Sequence, residues 1–135
     1  MFIPDKEQER ARRAMPLVLV VEDDADIRLV MLEALHSAGY EAEAVAGGVQ
    51  ALERLRAGTQ PQLILLDSNM AGMSGAAFRE AQLQDPALAA IPVLLLSGGE
   101  NLSDQAQAMR VNFLHKPFRL AELMSAVQQV CGPPR

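Results

Sequence analysis

Five polar residues of this chain stand where short apolar runs give out. Asp67 closes Leu63-Ile64-Leu65-Leu66, and Glu22 with Asp23 follows Leu17-Val18-Leu19-Val20-Val21. Ser97 follows Val93-Leu94-Leu95-Leu96, and Lys116 follows Asn112-Phe113-Leu114-His115. Three carboxylates brought together repel, and near neutral pH they call for a cation or a shared proton. Hard oxygen donors in that number suit Mg²⁺, which keeps several waters and takes few protein ligands. A backbone carbonyl near Asn69, in the Gly-rich stretch after Asp67, can add one more oxygen. Ser97 offers a hydroxyl beside Gly98 and Gly99, which let a ligand approach the backbone. Lys116 is a compact cation able to balance the acids or hold a phosphate. Together these groups form a phosphoryl-acceptor set: the Asp67 carboxylate attacks, while metal, hydroxyl and ammonium neutralise the equatorial oxygens.

Taken singly, each residue has a plainer reading. Acids ahead of a helix favour the positive end of its dipole, and for Asp24 and Asp26 that is the reading adopted, with Arg28 completing an ordinary helix start. Glu22 and Asp23 precede the turn and stay with the strand end. Ser97 alone is a turn residue and Lys116 alone a surface lysine; their convergence depends on the elements that carry them.

Those elements alternate strictly. Continuous aliphatic runs predict buried strands at Leu17–Val21, Leu63–Leu66 and Val93–Leu96, with a further strand at Asn112–His115. Tyr40–Val45 alternates Glu41 and Glu43 with Ala42 and Ala44, the period of an edge strand with one wet face. Helical spacing follows each strand. Ile27, Val30, Met31, Ala34, Leu35 and Ala38 form the first stripe, closed by Gly39. Val49, Leu52 and Leu55 form the second, entered through a Gly47-Gly48 turn and stopped by Gly58. A third helix covers Ala76 to about Leu83, and a short, weakly amphipathic fourth covers Leu102 to about Met109. The last places Leu120, Leu123, Met124, Val127, Val130 and Cys131 on one face, before Gly132-Pro133-Pro134. Five strand–helix units predict an α/β, doubly wound, five-stranded parallel sheet with helices on both faces. The order 2-1-3-4-5 puts the polar strand at an edge and makes the first and third strands neighbours at a topological switch point. Glu22, Asp23 and Asp67 then meet there.

Composition narrows the function classes. The 135 residues suit one domain, half of them hydrophobic and 21% charged. A net charge of −5 gives no electrostatic support for nucleic-acid binding. Cys131, the one cysteine, forms no internal disulfide and fits a reducing compartment. The apolar runs fall far short of the roughly 20 residues of a membrane span. Residues 1–15 carry both signs and lack the apolar stretch of a secretory signal; they are expected to form a charged arm or linker, ahead of a domain over 16–131 and a tail over 132–135. A cytoplasmic protein is expected, without nucleic-acid or membrane partners.

The chain resembles the receiver domain of two-component response regulators, over about Leu17 to Cys131. The matching residues are Glu22-Asp23 in LVVEDDADIR, Asp67 in LLDSNMAGMSG, Ser97 in PVLLLSGG and Lys116-Pro117 in FLHKPF. The resemblance implies a CheY-like, flavodoxin-like three-layer sandwich. It implies that Asp67 takes a phosphoryl group from a sensor histidine kinase or a histidine phosphotransfer protein. Glu22, Asp23, Asp67 and the carbonyl of Asn69 would hold Mg²⁺. Ser97 would bond a phosphoryl oxygen, Lys116 would form the ion pair, and Lys116–Pro117 would be a cis peptide. Phe113 matches the aromatic switch position, turning inward as Ser97 moves; plain core is its other reading. The face made by the fourth helix, fifth strand and fifth helix would bind a downstream protein or a second copy in a homodimer. Three departures stand out. Ala71 replaces the usual proline of the active-site loop, leaving it less stiff. Met109-Arg110 replaces the common Gly-Ala pair ahead of Phe113, and the stretch from Ser97 to Lys116 is about one helical turn short.

Four residues follow Cys131, so a single-domain receiver is expected, with protein binding or onward phosphoryl transfer as output. A fragment of a larger hybrid kinase or regulator is the alternative, as is a pseudo-receiver that docks without being phosphorylated. A haloacid-dehalogenase-like phosphatase wants a second acid where Asn69 stands. A P-loop NTPase lacks its G-x-x-x-x-G-K-[ST]. His36 and His115 have no ligand spacing between them. The enzyme classes are therefore set aside in favour of a signalling phosphoacceptor.

Overall fold

The computed structural model describes residues 16–133. The charged arm expected over residues 1–15, and the last two residues of the tail, lie outside them. Five strands alternate with five helices: β1 (Leu17–Val21), α1 (Ala25–Ser37), β2 (Glu41–Val45), α2 (Gly48–Arg56), β3 (Leu63–Asp67), α3 (Gly75–Gln84), β4 (Val93–Ser97), α4 (Leu102–Met109), β5 (Asn112–His115) and α5 (Leu120–Cys131). All strand pairs are parallel, in the order β2-β1-β3-β4-β5. This is the doubly wound arrangement that the strict alternation predicts.

Alternation of side chains across the strands divides the core into two layers. Leu19, Val21, Ile64, Leu66, Val93 and Leu95 face α2, α3 and α4, where they meet Ala51, Leu52, Leu55, Phe78, Leu102, Ala106 and Met109. Val18, Val20, Leu63, Leu65, Leu94 and Leu96 face α1 and α5, against Met31, Leu35, Leu123 and Val127. Each fully buried aliphatic or aromatic side chain contributes about 1.5–3 kcal/mol. β3 and β4 are buried along their whole length, which is why their sequences are unbroken aliphatic runs. Tyr40 closes one end: its buried ring carries a hydroxyl that donates to the Gly132 carbonyl at 3.0 Å.

Several helix faces are narrower than their spacing predicts. Ile27 and Val30 on α1, Val49 on α2, and Leu120 and Val130 on α5 are exposed. The core face of α1 reduces to Met31 and Leu35. The short α4 is a better amphipath than expected, with Leu102, Ala106 and Met109 all buried. α3 extends one residue beyond its predicted span at each end, and Ser97 belongs to β4 rather than to the following loop. Gly39, placed just after α1, takes φ +96 and ends that helix as expected. Gly48 has a different reason from the turn assigned to it: a Cβ there would stand 2.8 Å from Sδ of Met73. The loop after β3 packs closely on the start of α2, and a larger residue there would have to displace the Met73 side chain.

Phe78 is fully buried where α3 meets the sheet. Phe78→Ala should cost about 3–5 kcal/mol, read as a lower urea midpoint at unchanged slope. A loss below about 1 kcal/mol would contradict this packing.

Candidate functional site

The carboxyl ends of β1, β3, β4 and β5 open into one cleft of about 670 Å³, lined by Glu22, Asp23, Asp67, Asn69, Ser97 and Lys116 among others. Every residue that the sequence places at a strand end is therefore brought to one edge, while Phe113, within its strand, does not line the cleft. The parallel register explains it: Val21 pairs with Leu66, Asp67 with Leu96, and Ser97 with His115. Successive neighbours deliver the acids, the hydroxyl and the ammonium side by side.

Glu22 and Asp67 are buried, with 2% and 4% of their surfaces exposed, whereas Asp23 is exposed. One carboxylate oxygen from each of the three lies within 4.8 Å of the others. Lys116 reaches across from β5 and donates from Nζ to Oδ1 of Asp67 at 3.1 Å. It stands 3.6 Å from Oε1 of Glu22, close enough for ion pairing but beyond a hydrogen bond. The Asn69 amide approaches the same Asp67 oxygen at 3.4 Å. Ser97 is buried, and its Oγ accepts from the Gly99 amide at 3.1 Å. The Lys116–Pro117 peptide is cis, as the resemblance implies.

Electrostatics separate the acids. Burial raises the pKa of Glu22 above the ordinary glutamate range, and the neighbouring Asp67 charge pushes the same way. Asp23 moves down, chiefly because the Ala71 amide donates to it, at 3.3 Å to Oδ2. Proline, the family's usual residue at position 71, has no such donor. The Ala71 loop makes this bond and buries Met70.

Asp24 caps α1 with Oδ1, accepting from the amides of Asp26 and Ile27 at 2.9 and 3.1 Å, so the plainer reading holds for it. The Arg28 side chain, passed over in the sequence as part of a helix start, donates to the carbonyls of Glu22 and Asp23 at 2.9 and 3.2 Å. It braces the acidic pair from behind. No motif announces an arginine whose partners are backbone oxygens. Phe113 lies on edge strand β5, opposite Leu95, and is 44% exposed; the core reading of this residue is excluded.

The donor set fits a divalent cation. Among the described residues, Oε1 of Glu22 is a buried carboxylate oxygen without a hydrogen-bond partner. Such an atom is costly unless a charge satisfies it, and Lys116 alone faces three carboxylates. The Glu22–Asp23–Asp67 cluster offers Mg²⁺ the hard oxygen ligands it prefers.

Comparison with known proteins agrees with this geometry. A family model described as the response regulator receiver domain matches residues 18–128. Transcriptional regulatory protein PrrA of Mycobacterium tuberculosis is 34% identical over 119 residues, covering 84% of this chain and 48% of that protein. The chain thus spans about half the length of the first curated relatives it matches. Chemotaxis response regulator CheY4 of Vibrio cholerae superposes with a TM-score of 0.79 at 30% identity, over 86% of this chain and 98% of that one. The receiver domain of sensor histidine kinase PA1611 from Pseudomonas aeruginosa, solved with a magnesium ion coordinated in its active-site cleft, gives a TM-score of 0.78 at 26% identity, covering 87% and 98%. With a match across most of its length and the acidic cleft at the expected sheet edge, the chain belongs to the response regulator receiver domain family.

Proposed function

We propose that Asp67 is the phosphoacceptor of this receiver domain, taking its phosphoryl group from a phosphohistidine on a sensor histidine kinase or histidine phosphotransfer protein. The observation that carries this reading is the 3.1 Å pair between Lys116 and a buried Asp67, beside two further carboxylates. An Asp67 oxygen attacks phosphorus while the bond to the donor imidazole nitrogen breaks, leaving its electron pair on the ring. Lys116 offsets charge on the carboxylate and on the incoming oxygens. The Ser97 hydroxyl, on the neighbouring strand, exchanges its bond with Gly99 for one to a phosphoryl oxygen. Glu22, Asp23, Asp67 and the Asn69 carbonyl would hold Mg²⁺, which supplies positive charge against carboxylates and phosphoryl oxygens alike.

Movement of Ser97 provides the switch, with Phe113 turning from its exposed position on β5 toward the sheet. The output is a change in the α4–β5–α5 face, through which a downstream protein or a second copy would bind. The domain is taken as residues 16–131, acting in the cytoplasm; among the described residues no helix is long and apolar enough to cross a membrane. A docking module that is never phosphorylated would have no use for the full acid, serine and lysine set.

Incubation with acetyl phosphate and Mg²⁺, followed by intact mass, should give a single phosphoryl adduct. Asp67→Asn or chelation should abolish it, and Ser97→Ala should slow its formation at least about tenfold. Mg²⁺ binding without any adduct would count against Asp67 as acceptor, and loss of both would point to the docking module.

Glu22 makes a second prediction. A carboxyl whose folded pKa is raised stabilises the fold below its unfolded value and loses that contribution as pH climbs through the folded one. In chelator, the wild-type melting temperature should therefore fall relative to Glu22→Gln as pH rises above the ordinary glutamate value of 4.5. At neutral pH the variant should melt higher by about 2–4 °C, while gaining less from added Mg²⁺. A variant whose melting temperature instead falls relative to wild type as pH rises would show Glu22 to be stabilising as a charge.

A further inference from the structure

Toward the edge of the sheet where the strands begin, α3 carries a polar network that phosphoryl transfer does not use. Gln82 is fully buried. Its Nε2 donates to the carbonyls of Leu88 and Ile91, each at 2.9 Å, holding the lead-in to β4. Its Oε1 accepts from the Arg79 guanidinium at 2.8 Å. Arg79 then donates to the Met109 carbonyl at 3.0 Å and to the Arg110 carbonyl at 3.2 Å. One chain of hydrogen bonds therefore clamps the start of β4 and the turn between α4 and β5 to the same helix.

The turn it reaches is an unusual one. Arg110 caps α4 with φ +57, a left-handed conformation that side chains other than glycine and asparagine disfavour. Met109 is the last residue of α4, with its side chain buried, and Arg110 follows as the cap. Their carbonyls lie at the negative end of the α4 dipole, where a guanidinium is favourable. Arg79 thus supports the residue whose type suits the turn least, together with the helix end just before it.

β5 follows after Val111 alone. It is a four-residue edge strand in which Asn112, Phe113 and His115 are exposed and only Leu114 is half-buried. Apolar burial does little to hold it, so its placement along β4 rests on its ladder and its two ends. The upper end is held by the Lys116 amide, which donates to the Ser97 carbonyl at 2.8 Å. The lower end is held by the Val111 amide, which donates to the Ala106 carbonyl at 3.0 Å, and by Arg79. We propose that Arg79, backed by Gln82, is a positioning residue for the phosphoacceptor site, fixing the α4–β5 turn so that β5 delivers Lys116 to Asp67. The kinetic part of this inference rests on the phosphoacceptor reading above; the anchoring of β5 does not.

The test uses the full chain with Arg79→Met, Arg79→Lys, and Arg79→Met combined with Arg110→Gly. Leu55→Val, buried on α2 away from the network, reports the effect of lost stability alone. Two quantities are measured: amide hydrogen exchange over residues 111–116, and the initial rate of phosphoryl incorporation from acetyl phosphate with Mg²⁺. Arg79→Met should exchange at least about tenfold faster in that segment than Leu55→Val, and incorporate phosphoryl about five- to tenfold more slowly. Mg²⁺ affinity should stay unchanged. Arg110→Gly, by relieving the left-handed turn, should recover a large part of both losses, and Arg79→Lys should fall between wild type and Arg79→Met. Should Arg79→Met not fold, the lysine variant against Leu55→Val decides the matter by the same two readouts. Equal behaviour of the Arg79 variants and Leu55→Val would overturn the proposal and leave Arg79 a stabilising residue only. If wild type takes no phosphoryl group, the acceptor reading fails, and the exchange comparison alone decides whether Arg79 anchors β5.

Discussion

Negative charge held at a buried sheet edge is the constraint on which this structure turns. Glu22 and Asp67 are almost wholly removed from solvent, Asp23 stands beside them, and Lys116 is the cation that pairs with the first two. Burial disfavours the charged form of a carboxyl, and like charges a few ångströms apart disfavour it further. Left to itself the cluster would cost stability, since Oε1 of Glu22 is buried without a hydrogen-bond partner, the Lys116 ammonium standing 3.6 Å away. The two apolar layers on either side of the sheet hold it in place. The same imbalance, three carboxylates against one ammonium, makes the cleft receptive to a divalent cation and to the phosphoryl chemistry a cation supports.

The sheet order makes that arrangement possible. Neighbouring strands lie about 4.8 Å apart, so groups at the ends of adjacent strands can touch while groups two strands apart need long side chains. β1 and β3 are adjacent, and their acids converge directly. Ser97 sits one strand further along, near enough to meet an incoming oxygen. Lys116 comes from the strand beyond, and only a four-carbon stem lets its ammonium return to Asp67 at 3.1 Å. β2, on the far edge, sends no side chain into the cleft but accepts the Glu22 amide on its Val45 carbonyl at 3.1 Å; a surface ion pair between Glu43 and Arg54 ties it to α2, worth little in itself.

Much of this was legible in the sequence because it rests on local pattern. Four-residue aliphatic runs can satisfy both faces of a central parallel strand, and the residues that interrupt them mark where the strands leave the core. Strand order followed from the single polar, alternating strand. The extent of helix burial was not legible. Spacing tells which residues share a face, but not how much of that face the sheet covers, so Ile27, Val30, Val49, Leu120 and Val130 all emerge exposed. Nor was the second tier of polar contacts. Arg28, Arg79 and Gln82 find their partners in backbone carbonyls, and a carbonyl is present at every position whatever the residue. Gly48 illustrates the remaining gap: a glycine at a helix start reads as a turn, and only the position of Met73 shows that space is what it supplies.

The departures from the family pattern carry a consistent lesson about how local geometry is kept. A proline in the loop after Asp67 would stiffen it by fixing φ; Ala71 leaves φ free but restores an amide, and that amide is bonded to Asp23. Restraint passes from the ring of a residue to a hydrogen bond with a member of the acidic cluster. A carboxylate has two oxygens, and with Oδ2 engaged by the loop, Oδ1 is left for other ligands. Loop order and acidic-cluster geometry are thereby linked in a way proline would not link them. At the other end of the sheet, a bulky pair replaces small residues at the α4–β5 turn, and an arginine from α3 takes hold of the carbonyls that result. In both places backbone hydrogen bonding does the work that residue type does elsewhere, because a bond to the main chain survives changes in the side chains along it.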